Sequence, residues 1–211
     1  MLSVLALNLV LIAGLVVVGI TAHSLGVLAA GGDYLADSGA IILALLAISL
    51  GSRPPSAKRP QGYPRATAYA ALVNAILLGL VVVAVIVTAV RRLVTGAGDI
   101  NGLPVLVISL IAAIAMGAGV FILGRDMHED GDSDADRANM RAVLLDTAAD
   151  AFAAAGVAVT GAIILATDGW YWLDPTVALL IAVVIGYHVI VLLREVAGTL
   201  RGHEPVPPTR T

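Results

Sequence analysis

The sequence predicts an all-α membrane protein of six transmembrane helices with both termini in the cytoplasm. Three observations carry that prediction. The chain is 59% hydrophobic and only 13% charged over 211 residues, and a run of about 18 or more apolar residues is long enough to cross a bilayer. Six such runs can be marked off between polar, glycine-containing or proline-containing breaks. Ten of the twelve Lys and Arg residues then fall in the two loops and the tail that six spans place on one side, the side that the positive-inside bias makes cytoplasmic.

The first span is Met1 to about Thr21, with Asn8 as its one strongly polar residue. It has no basic residue ahead of its apolar run, so it reads as a retained span and not as a cleaved signal peptide. After a short connection holding His23, the second span runs from about Val27 to Leu50. Gly31 and Gly32 within it either let another backbone come close or loosen the helix. The stretch Gly51–Arg65 is a loop by composition, with Pro54, Pro55, Pro60 and Pro64 beside Arg53, Lys58, Arg59 and Arg65. The third span, Ala66–Val90, contains Asn74 and ends at Arg91 and Arg92. Asn8 and Asn74 suit hydrogen bonds between helices better than metal ligation. A glycine-containing turn, Val94–Gly102, leads to the uncharged fourth span, Leu103–Gly124.

The polar stretch Arg125–Arg141 follows, with Asp126, His128, Glu129, Asp130, Asp132, Asp134 and Asp136. It reads as a solvated acidic loop; cation attraction is the alternative, since His and carboxylates are ligand types. The fifth span is Met140–Ala166. The turn Thr167–Asp174 holds Trp170, Tyr171 and Trp172, which fit an interfacial aromatic belt, and Pro175 stands where a first helical residue would. The sixth span continues to about Leu193. Residues 1–201 thus form one membrane domain, and residues 202–211 a short cytoplasmic tail without fixed structure.

Other classes drop out. There is no cysteine, which excludes disulfides and thiolate metal centres. A formal net charge of −3 gives no reason to expect nucleic acid. No GxxxxGK[ST] stretch is present, so a gradient and not ATP is the expected energy source.

The chemistry is concentrated in two patterns. Asp33 and Asp37 lie in GGDYLADSGA, and Asp146 and Asp150 in LLDTAADAFA. Spacing of four puts each pair on one helical face. A carboxylate at the bilayer centre costs roughly 2.5–3.5 kcal/mol on insertion scales, and neither segment offers a Lys or Arg partner close by. Two such faces turned toward each other make a four-carboxylate box suited to a divalent cation or to protons. Groups crowded in this way exchange protons as a coupled set, and a metal binds their deprotonated form, so metal and protons compete. The pairs could instead cap a broken helix or bond a neighbouring backbone. Ionisable residues within a membrane are nonetheless read first as functional.

With these motifs placed, the chain resembles the cation diffusion facilitator family from Asn8 to about Glu204. GVLAAGGDYLADSGA, Gly62–Ala75, NMRAVLLDTAADAFAAAGV and Gly169–Ile185 are similar to the family's signatures in the second, third, fifth and sixth helices. The resemblance implies a secondary transporter and not an enzyme, in the cell membrane, exporting divalent transition metals (Zn²⁺, Fe²⁺, Mn²⁺, Co²⁺ or Cd²⁺) from the cytoplasm in exchange for H⁺, usually as a homodimer. It also implies that Asp33, Asp37, Asp146 and Asp150 form the transport site, with the metal as cargo and no resident cofactor. Zinc-selective members carry at least one His among these four positions. Four Asp make a harder, all-oxygen set that leans toward Mn²⁺, Fe²⁺ or broad selectivity. The family usually continues after the sixth helix into a cytoplasmic metal-binding domain, and the expectation here is a member without one. The alternatives are a proton-coupled carrier or channel for a non-metal substrate, and a non-transporting membrane scaffold.

Overall fold

The computed structural model describes residues 2–51, 66–126 and 134–201. These form six helices: α1 Leu2–Thr21, α2 Leu25–Gly51, α3 Ala66–Thr95, α4 Gly102–Asp126, α5 Asp134–Thr167 and α6 Leu173–Arg201. Helices α2 to α6 are each long and apolar enough to cross a membrane, and α1 is a further apolar helix of 20 residues. Their outward faces are hydrocarbon: Ile41, Ile42, Leu45 and Leu46 are all more than half exposed, as lipid-facing positions are. Residues 52–65 of the expected basic loop, residues 127–133 of the acidic loop and residues 202–211 lie outside the described residues.

Helix boundaries differ from the expected spans where polar sequence continues a helix beyond the apolar run. Helix α5 starts at Asp134 and not Met140. Helix α3 runs through Arg91 and Arg92 to Thr95, because basic residues suit a C-terminal turn. Helix α6 begins at Leu173 and continues to Arg201. Pro175 is therefore its third residue rather than its first. This is tolerated because first-turn N–H groups have no acceptor within the helix.

The chain reverses between α1 and α2 in three residues. His23 adopts φ 57° and donates its N–H to Ile20 O, while Ser24 N donates to Gly19 O at 3.0 Å. This is the double bond pattern of a left-handed helix C-cap. Ser24 then serves the next helix: its Oγ accepts from Val27 N at 3.1 Å, as an N-cap does.

Glycines set how closely the helices approach. Helix α2 stays helical throughout, so Gly31 and Gly32 act by close approach and not by loosening it. A Cβ on Gly31 would meet Leu15 of α1 at 3.1 Å, and one on Gly32 would meet Val81 of α3 at 2.9 Å. The small-residue face of the second span is thus used inside one copy of the chain. Helices α4 and α5 run antiparallel in the closest contact, where a Cβ on Gly161 would lie 2.7 Å from Leu106 N, a backbone atom. Helix α3 pairs with α6 through Gly79 against Val189 and Gly186 against Val82. Between these pairs the core is built from Leu15, Val27, Val105, Val157 and Ile164, each nearly inaccessible.

Gly161→Ala is expected to destabilise the protein by about 1–3 kcal/mol, the usual cost of overpacking, because the clash is with backbone. Gly117→Ala, where an added Cβ meets nothing within 4 Å, should be neutral or stabilising by about 0.5–1 kcal/mol. Thermal unfolding in detergent, followed by Trp170 and Trp172 fluorescence, separates the two.

Candidate metal site

The four aspartates singled out by spacing line one cavity of about 480 Å³. Asp33 and Asp37 come from α2 and Asp146 and Asp150 from α5, while α6 supplies an apolar wall that includes Leu180, Ile181, Val184 and Ile185. The pairs face each other because α2 and α5 are antiparallel and in register: a Cβ on Gly26 would touch Val157 at 3.3 Å. Seven residues further along each helix stand Asp33 and Asp150, and eleven further stand Asp37 and Asp146. At about 1.5 Å of rise per residue these steps match in height. Tyr34, buried, donates its hydroxyl to Asp150 O at 3.4 Å, tying the helices at the upper pair. Asp33 and Asp150 thus stand at matching heights on the two helices and line the same cavity.

The cavity is closed toward one end of the bundle and lined at its side by the exposed Phe152, Leu180 and Val184. Asp33, Asp37 and Asp150 are half-buried and Asp146 is exposed. Toward the α2 N-terminus the way is filled by Ala30, Ala154, Val157 and Ala178, none more than 4% exposed. Among the described residues no Lys or Arg lines the cavity, and one nitrogen ligand type does: His188 of α6. Sequence reasoning passed over His188 because it stands alone in an apolar helix, and its place on the wall depends on how α6 packs. Among the described residues no three His, Asp or Glu side chains stand close enough to clasp an ion together, so the carboxyls line the space without converging on a point. Asn74 is buried but is not part of the lining, and the side chain of Asn8 lies outside the described ones.

A second cavity, of about 530 Å³, lies at the other end of the bundle and is lined by His23, Asp99, Asn101, Asp168 and Tyr171. His23 and Asp168 both have left-handed backbone, with φ 57° and 44°. A fifth intramembrane aspartate, Asp174, is fully buried and faces neither cavity. Its Oδ1 accepts from Ser24 Oγ at 2.5 Å and from Gly26 N at 3.1 Å. Its Oδ2 accepts from Leu25 N at 2.6 Å. The sequence signal available for it was an Asp-Pro pair at a helix start, which reads as a cap for its own helix.

Comparison with known proteins gives a match over nearly the whole chain. The family model described as the cation efflux transmembrane domain matches residues 1–200. The chain is 33% identical over 172 residues to the zinc transporter ZitB of Yersinia pseudotuberculosis serotype I (strain IP32953), covering 82% of this chain and 53% of that protein. It is 28% identical over 194 residues to the cadmium, cobalt and zinc/H(+)-K(+) antiporter of Bacillus velezensis, covering 89% and 60%. The metal cation efflux system protein CzcD of Cupriavidus metallidurans is 29% identical over 180 residues, covering 85% and 54%. The chain spans about half the length of the curated relatives it matches.

Asp33→Asn is expected to keep the fold, because an amide matches a carboxyl in size and can still donate and accept hydrogen bonds, and to reduce the protons released on addition of Zn²⁺. Proton release into weakly buffered solution with a pH dye measures this. Equal release from Asp33→Asn and the unsubstituted protein would remove Asp33 from the exchanging set.

Proposed function

Because the chain belongs to the cation efflux family, we propose that it carries divalent transition-metal cations out of the cytoplasm in exchange for protons, with Asp33, Asp37, Asp146 and Asp150 holding the cargo. The observation that carries this reading is that two DxxxD faces line one cavity that no Lys or Arg lines among the described residues. Carboxylates in such a space attract cations, and a metal ion displaces their protons because it binds the deprotonated form. Competition between metal and H⁺ at one set of oxygens couples the two fluxes.

The orientation with both termini cytoplasmic rests on the placement of ten of the twelve Lys and Arg residues. In that orientation the cavity opens inward and the apolar layer at Ala154 and Val157 closes the outward path, a cytoplasm-facing state ready to load. Rocking of the α4–α5 pair against the α3–α6 pair would move the opening to the other side. The cargo class follows from the ligand types: four oxygen donors, with the His188 imidazole on the same wall to add a nitrogen acceptable to Zn²⁺, Co²⁺ and Cd²⁺. Zinc, cadmium and cobalt are also the metals in the relatives' names. The homodimer and the cell membrane belong to the same proposal and rest on the family resemblance.

The test is Zn²⁺, Cd²⁺ and Co²⁺ flux in proteoliposomes under an imposed pH step. Flux should rise when the cytoplasm-equivalent side is the more alkaline, since deprotonated aspartates load there and protonated ones release opposite. Asp37→Ala or Asp150→Ala should lower it by about a hundredfold or more, as loss of a directly contacting group does. Flux indifferent to the pH step removes the antiport mechanism. Proton flux that ignores metal would favour a proton-coupled carrier of another substrate.

A further inference from the structure

We propose that Asp174 is a positioning residue for the transport site: by clasping the first turn of α2 from α6, it fixes the height at which Asp33 and Asp37 meet Asp150 and Asp146. The inference rests on the reading that these four carboxyls hold the cargo.

A helix N-terminus leaves its first N–H groups without acceptors, and an N-cap side chain usually answers that need locally. Here the need is met across the fold. Leu25 N and Gly26 N donate to Asp174, 149 and 148 residues away in sequence. Ser24 Oγ also donates to Asp174 while accepting from Val27 N. Ser24 and Asp174 are both at 0% exposure, so water cannot replace either partner. The carboxylate also sits at the positive end of the α2 dipole, where negative charge is favoured. Charged hydrogen bonds of this kind are shorter and roughly twice as strong as neutral ones.

The clasp stands at a three-helix contact. At Gly26 an added Cβ would lie 3.1 Å from Asp174 Oδ1 and 3.3 Å from Val157 of α5. Gly26 is thus the point from which α2 is registered against α6 and α5 together. The carboxylates begin seven residues away on both α2 and α5. Slipping α2 by one residue would shift its carboxylates by about 1.5 Å and turn them by about 100°. Asp33 would then leave Asp150, and Tyr34 would leave its acceptor. Geometry errors of about 1 Å at a reacting or binding centre cost up to about a hundredfold. No residue of the clasp lines the metal cavity, so its influence on binding passes through the position of α2.

The experiment uses the full chain in nanodiscs, with Zn²⁺ affinity measured by competition with a fluorescent zinc indicator and flux measured after reconstitution. Asp174→Ala is expected to weaken Zn²⁺ binding and raise KM by about tenfold or more, with the maximal rate at saturating Zn²⁺ much less affected. Asp174→Asn retains one carbonyl acceptor and should fall between, which keeps the test alive if Asp174→Ala does not fold. Because the chain has no cysteine, spin labels at Leu45→Cys and Leu145→Cys report the α2–α5 distance without background. That distance distribution should broaden or shift in Asp174→Asn. Zn²⁺ affinity within twofold of the unsubstituted protein in folded Asp174→Asn, or an unchanged label distance, overturns the proposal. Asp37→Ala serves as the control for the site itself. If it too leaves Zn²⁺ affinity unchanged, the four-aspartate reading fails; if it abolishes binding while Asp174→Asn does not, positioning alone fails.

Discussion

A carboxylate surrounded by hydrocarbon has to be met by something, and the five aspartates within these spans are met in two different ways. Asp174 receives three hydrogen bonds from the start of α2 and is sealed from solvent. The other four share a cavity that no Lys or Arg lines among the described residues. The first arrangement is closed, because every acceptor position that matters is filled by a donor from the chain. The second is open, because its negative charge can be balanced only by a proton or a cation from outside. One chain thereby places the same residue type both in a closed joint and around an open cavity.

Helix packing keeps these two uses apart. Glycines bring α1 onto α2 and α4 onto α5 at backbone distance, and seat a Val81 methyl of α3 against α2 at Gly32. In a bilayer this close contact is the main source of helix association, since lipid offers no hydrophobic driving force between apolar helices. Helix α5 touches α2 and α6 along a shorter stretch, and the cavity lies in that cleft. The result is a bundle that is tight within its helix pairs and looser where α5 meets α2 and α6.

Polar residues at helix ends extend the structure past the bilayer. Helix α3 continues through Arg91 and Arg92, and Arg92 donates to His23 O at 2.5 Å, which braces the α1–α2 turn. Trp170 and Trp172 stand exposed at the α5–α6 turn with ring centroids 6.4 Å apart, as interfacial aromatics do. Tyr171 between them turns inward against the core, so only part of the aromatic triplet faces outward.

By itself the sequence determined the number and order of the helices and the four acidic positions, because long apolar runs and a spacing of four are local properties that survive any packing. It marked Gly31 and Gly32 as special without saying whether they break α2 or seat it, since either outcome depends on what comes near. Only the tertiary structure decided that Leu15 and Val81 come near. The same holds for Asp33 opposite Asp150, for His188 on the cavity wall and for Asp174 on the N-terminus of α2. Each of these joins residues far apart in the chain, and their meeting depends on the rotation and height of whole helices. No window of sequence encodes those quantities; they emerge when six apolar helices find the one mutual packing that leaves few buried polar groups without a partner.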